Sequence, residues 1–144
     1  GAILLYLSDK TGRLMPADPR ERWIALQWLM FQMGGIGPFF GQFGHFHRFA
    51  ADKVDDPYPR QRYLDESRRL LGVLDGRLAD RQWVMGEVYT IVDIAIFPWV
   101  RALESAYDAR EALGLDGFRA VGDWLERCLA RPATARGLTV PAKS

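Results

Sequence analysis

The stretch Thr90-Ile91-Val92-Asp93-Ile94-Ala95-Ile96-Phe97-Pro98-Trp99-Val100 constrains this chain more than any other. Thr90 and Asp93 stand at the spacing of a capping box. In that motif the Thr hydroxyl accepts from the Asp N–H and the Asp carboxylate reaches back to the Thr N–H. The residues that follow are apolar on every side of a helix. Such a helix is stable only when other elements surround it. Ile94–Val100 is seven residues long, against roughly 18 needed to cross a bilayer, so protein must bury it. Pro98 predicts a bend and a freed carbonyl at Ile94. Residues 102–112 read as a continuation of the same helix.

The rest of the chain supplies the surrounding helices. Asp18-Pro19 is an N-cap followed by Pro at the first helical position. Trp23, Ile24, Leu26, Leu29, Met30 and Met33 then recur at three and four. Gly34-Gly35-Ile36-Gly37-Pro38 should interrupt this helix, giving one long bent rod or two stacked pieces. Phe40, Phe43, Phe46/His47 and Ala50 form an aromatic helical face beyond it. Residues 52–59 are a polar loop, and residues 60–79 carry the buried stripe Tyr63, Ser67, Leu70, Leu71, Leu74 and Leu78. Gly72 and Gly76 within that helix suggest the close approach of another backbone. Phe118, Val121, Leu125, Cys128 and Leu129 make a last amphipathic stripe before Pro132, then comes a short helical turn. The fold class expected is all-α, a bundle of five to six helices, with a loose tail over residues 139–144.

Composition excludes several functions. The 144 residues suffice for one domain, and 49% hydrophobic content with 12% aromatic content supports a true core. The net charge of +1 provides no field to draw nucleic acid or an anionic membrane, so neither is an expected partner. The single Cys128 forbids an internal disulfide, and a cytoplasmic location is the default. The first residues, Gly1 to Gly12, have the stop chemistry of a helix without its start chemistry. They fit either a helix after a cloning scar or the end of an upstream domain.

No self-contained catalytic centre emerges. His45 and His47 are two apart and point to different sides of a helix, and one Cys adds no ligand pair, so no metal site is expected. Gly35-Ile36-Gly37 fails as a phosphate loop, because residue 40 is Phe40 rather than Gly and Pro38 removes a donor. Cys128 reads as a small buried hydrophobe. Asp93 reads as structural, through the capping box. Arg60, Arg62, Arg68 and Arg69 are either a solvated face or include one arginine whose planar fork meets a carboxylate ligand.

Four segments, taken in order, carry a family resemblance. Gly1-Ala2-Ile3-Leu4-Leu5-Tyr6-Leu7-Ser8-Asp9-Lys10-Thr11-Gly12 resembles the last helix of a thioredoxin-like domain. Trp28-Leu29-Met30-Phe31-Gln32-Met33-Gly34-Gly35-Ile36-Gly37-Pro38-Phe39-Phe40-Gly41-Gln42 is the most specific. Thr90-Ile91-Val92-Asp93-Ile94-Ala95 and the ending Arg131-Pro132-Ala133 with Arg136-Gly137-Leu138 complete the set. Together they resemble the C-terminal helical domain of cytosolic glutathione transferases. The nearest branch is the bacterial nu class, with its Ure2-like and disulfide-bond reductase relatives.

The resemblance implies a division into residues 1–12 (the end of an N-terminal thioredoxin-like domain), a linker over 13–17 and a helical domain over 18–138. It implies a homodimer that uses glutathione as co-substrate, for conjugation to a small electrophile or for thiol–disulfide exchange. Arg62 falls where this branch meets a glutathione carboxylate. Phe39, Phe40 and His45 should face the substrate cleft, with Trp99 beside them. The residues that activate the thiol lie in the N-terminal domain, so these 144 residues alone should be inactive and prone to associate through exposed apolar faces. Two alternatives stay open: a non-catalytic helical interaction module, and a glutathione-binding protein without turnover.

Overall fold

A computed structural model describes residues 1–140; residues 141–144, part of the expected tail, lie outside the described residues. Helix α1, Ala2–Thr11, ends on Gly12, whose φ of 64° is the left-handed conformation open to glycine. Asp18 caps α2, Pro19–Phe31, by accepting from the Glu21 N–H at 2.9 Å. The glycines that follow widen the helix and do not stop it. A π-helical turn spans Gln32–Ile36, then α3 spans Gly37–Gly44, then a second π turn spans His45–Phe49. The Gly37 N–H donates to Gln32 O and the Ala50 N–H to His45 O, each five residues back. Pro38 thereby falls in the first turn of α3, where its missing donor is tolerated. Residues 19–49 are thus one continuous rod.

Helix α4, Tyr58–Leu78, antedates the loop that leads to α5, Ile91–Ser105. Thr90 and Asp93 close the capping box as expected. Helix α5 is the central element and packs against α1, α2, α3 and α7, Arg119–Leu129. Residues 102–112 do not continue as one helix. The chain leaves it at Ala106, Asp108 takes a φ of 55°, and α6, Arg110–Leu113, starts anew. The turn lets the Tyr107 ring lie against Gly44, where an added Cβ would stand 2.6 Å from three ring carbons. A 3-10 turn over Leu115–Gly117 and the short α8, Pro132–Gly137, complete the chain.

The architecture is all-α, as expected, with no β-strand among the described residues beyond one isolated bridge between Trp83 and Gly86. Phe40, Phe43, Leu71, Leu74, Ile96 and Trp124 are wholly buried at the centre. A smaller cluster joins Leu29, Ile91 and Ala95 to Leu4 and Leu5 of α1. The other side of α1 is open, with Ile3 74% and Tyr6 61% exposed. Gly72 and Gly76 correct an expectation: neither has a neighbour within 4 Å, so no backbone approaches them and they lie on an exposed helix face.

Candidate functional site

The residues singled out from the sequence fall around α3, on two of its faces. On the α5 face Gly37 and Gly41 lie under the Trp99 indole. A Cβ at Gly37 would stand 3.2 Å from Trp99 Cε2, and one at Gly41 3.5 Å from Cζ3. The close approach at these glycines is therefore that of side chains, the Trp99 ring at both and the Gln32 amide, at 3.0 Å, at Gly37. Above them opens a groove of about 530 Å³, lined by Gln32, Met33, Pro38, Gln42 and Trp99 with the two glycines. Gln32 is 3% exposed, and its Oε1 has no hydrogen-bond partner among the described residues. A buried acceptor left without a partner costs about 1–3 kcal/mol.

On the α4 face the aromatic rings form a chain. His45 meets Phe46 edge-on at 5.0 Å, Phe46 stacks on Tyr63 at 5.5 Å and 10°, and Tyr63 lies 6.1 Å from Phe39. The Arg62 guanidinium lies over Phe39 at 5.8 Å. Tertiary partners separate the four arginines. Arg68 donates to Ala112 O at 2.7 Å, and Arg69 forks onto Glu66 at 2.9 and 2.7 Å. That hydrogen bond is the main reason the Glu66 carboxyl is held below the ordinary carboxylate value. Arg60 borders a pocket that also holds Asp55 and Asp56. Arg62 is exposed and has no ion pair or hydrogen bond among the described residues.

The structure thus brings Phe39 and Arg62 together, joins His45 to them only through Phe46 and Tyr63, and places Trp99 across α3 from them. Phe40 does not join either group. It is 0% exposed and belongs to the core, because one residue of helix turns it by about 100° from Phe39. Sequence reasoning passed over Gln32 and gave Tyr63 only a buried-stripe role. Gln32 carried a signal, a polar residue between Leu29 and Ile36 on a buried face.

Asp93 is a polar hub and not a reacting acid. Its Oδ1 accepts from the Val84 N–H at 3.0 Å and the Trp124 Nε1–H at 2.9 Å. Its Oδ2 accepts from the Thr90 N–H at 2.9 Å and the Thr90 hydroxyl at 3.2 Å. Cys128 is 0% exposed; burial, then the nearby Asp93 charge, push its thiol far up, the reverse of what a nucleophile needs. Burial first, then Cys128 and Asp93, push the neighbouring Tyr89 phenol up to about 12. His45 and His47 diverge, His47 stacking on Phe43 at 4.9 Å. Among the described residues no group of three or more His, Cys, Asp or Glu side chains could hold a metal ion, and no helix is long and apolar enough to cross a membrane.

A central capped helix inside an all-α bundle, with a glycine-lined groove on the first rod, defines the class. The family model for the glutathione S-transferase C-terminal domain matches residues 27–132, and the chain belongs to that family. It is similar to the disulfide-bond oxidoreductase YfcG of Escherichia coli (strain K12), 45% identical over 96% of this chain and 61% of YfcG. It superposes with a TM-score of 0.97 on a glutathione transferase from Burkholderia graminis, which has two glutathione molecules bound per subunit. The identity there is 53%, covering 99% of this chain and 60% of that one. A glutathione transferase from Pseudomonas putida, with one glutathione disulfide bound per subunit, gives a TM-score of 0.94 and 56% identity over 98% of this chain and 61% of that one. The chain therefore spans about three fifths of the length of these proteins.

Proposed function

We propose that residues 18–138 are the helical substrate-site domain of a glutathione-dependent enzyme that carries out thiol–disulfide exchange in preference to conjugation. Residues 1–12 then close an N-terminal thioredoxin-like domain and 13–17 link the two. The whole protein works as a homodimer in the cytoplasm, and these 144 residues alone are inactive. What supports this most is the 56% identity to a transferase that holds glutathione disulfide.

The residues take the following roles. Arg62 presents its guanidinium fork to a glutathione carboxylate; it forms no ion pair among the described residues, although the nearby Glu66 carboxylate, bonded to Arg69, feels its charge. Phe39 and His45 are assigned to the α4 side of α3, beside Tyr63 and Phe46, Trp99 to the glycine-lined groove on its α5 side, and Phe40 to the core. In exchange, a glutathione thiolate attacks one sulfur of a disulfide, the sulfur–sulfur bond breaks and the other sulfur leaves as thiolate. Cys128 takes no part, being buried and held protonated.

The test is a rate comparison on the whole protein, with glutathione and either a small symmetric disulfide or an aryl halide. Disulfide reduction should exceed conjugation by at least about tenfold, about 1.4 kcal/mol in barrier height. Faster conjugation would make this a conjugating transferase, and absence of both would leave a glutathione-binding protein without turnover.

A further inference from the structure

We propose that Phe46, Tyr63 and Phe39 form an aromatic ladder that holds the Arg62 guanidinium ready for a carboxylate, which makes Phe39 and Tyr63 positioning residues for recognition. This rests on the assignment of Arg62 to a glutathione carboxylate. The guanidinium lies over the Phe39 ring, its Cζ 5.8 Å from the ring centroid, and none of its N–H groups is bonded among the described residues, which leaves them free for a two-pronged contact. The ring itself is fixed from behind: Phe39 meets Tyr63 at 6.1 Å and 53°, and Tyr63 stacks on Phe46 at 5.5 Å and 10°.

A second observation is independent of the rings. Glu66, one turn beyond Arg62 on α4, is the carboxylate that would ordinarily capture it at this spacing. Glu66 is taken instead by both prongs of Arg69, at 2.9 and 2.7 Å. The helix thereby keeps Arg62 unpaired while the ladder limits its rotamers. An arginine side chain loses much conformational freedom when it is fixed. A ring that fixes it beforehand reduces the cost at the moment of binding. The ligand class this arrangement fits is a planar carboxylate, and a lysine at position 62 could neither stack nor present a fork.

Calorimetric titration of glutathione disulfide into the whole protein tests this with a double-mutant cycle. Arg62→Gln should weaken binding by about tenfold or more, as loss of a charge-assisted pair does. Phe39→Leu should weaken it by about two- to fivefold, the range of an exposed cation–π contact. In the Arg62→Gln background Phe39→Leu should have no further effect, and Phe39→Tyr should bind like the parent. Tyr63→Leu, a second probe of the same ladder, should behave as Phe39→Leu does. Equal weakening by Phe39→Leu in both backgrounds would overturn the ladder, since the ring would then touch ligand directly. Unchanged binding by Phe39→Leu and Tyr63→Leu, with Arg62→Gln still impaired, would overturn it too. Unchanged binding by Arg62→Gln would instead overturn the assignment beneath it, and the ladder with it.

Discussion

Asp93 and Arg62 are both charged side chains on long helices of one bundle, and their surroundings are opposite. Asp93 is 0% exposed, and its two oxygens accept four hydrogen bonds from Thr90, Val84 and Trp124. Arg62 is exposed and rests on a ring with no ion pair among the described residues. A buried carboxylate survives only when its lone pairs are satisfied from inside, so the Asp93 region has nothing left to offer a ligand. The α3 region is the converse. It keeps an unpaired guanidinium and an unpartnered amide oxygen on Gln32. The buried Asp93 is spent wholly on the framework, whereas the exposed Arg62 keeps its N–H groups free for the proposed ligand.

Breaking the framework side should give the largest effect. Asp93→Ala strands the Val84, Thr90 and Trp124 donors in the interior. We expect a loss of about 3–5 kcal/mol by denaturant unfolding, and a loss below about 1 kcal/mol would show that the hub is not what pins α5 to α7. Next comes the seam of α3. Gly44→Ala would force a Cβ to 2.6 Å from the Tyr107 ring, and overpacking of this kind costs about 1–3 kcal/mol. A cost near zero would mean that the turn at Tyr107 moves freely.

Alkaline pH probes the same buried region more gently. The Cys128 thiol, ordinarily near 9.0, is pushed up in the folded protein by burial and by Asp93. Above about pH 9 the unfolded chain sheds this proton while the folded chain keeps it. The raised value therefore stabilises below the ordinary thiol pKa, and that stability is lost as pH rises, by about 1.4 kcal/mol per unit. Cys128→Ala should flatten the slope that sets in near pH 9, a unit below the ordinary tyrosine value of 10.0 around which the raised Tyr89 and Tyr107 phenols add their own. An unchanged slope would place the alkaline loss elsewhere. Thr90→Ala, which removes the cap but spares the Asp93 contacts to Val84 and Trp124, should cost about 1 kcal/mol.

How far each region was legible follows from where its partners lie. The capping box is a local motif, so Thr90 and Asp93 announced the start of α5. The Trp124 and Val84 bonds join residues 31 and 9 positions away from Asp93 and left no mark on the pattern. The glycine run announced close approach, but the approaching groups, Leu70 at Gly35 and Trp99 at Gly37, come from distant helices. A π turn also went unforeseen, because glycine and proline read as a stop unless tertiary packing carries the helix through. Among Arg60, Arg62, Arg68 and Arg69 the residue types alone were equal. Only the family resemblance chose Arg62, and it is Ala112 O and Glu66 that occupy Arg68 and Arg69. Phe39 and Phe40 differ by a single helical step, enough to send one to the α4 face and the other to the core.

The most direct test sets stability against binding in one variant. Arg62→Gln in the whole protein should unfold within about 0.5 kcal/mol of the parent, as an exposed substitution does. Its affinity for glutathione disulfide should fall by about tenfold or more. Loss of stability with affinity intact would contradict the account, and would move Arg62 from the site to the framework.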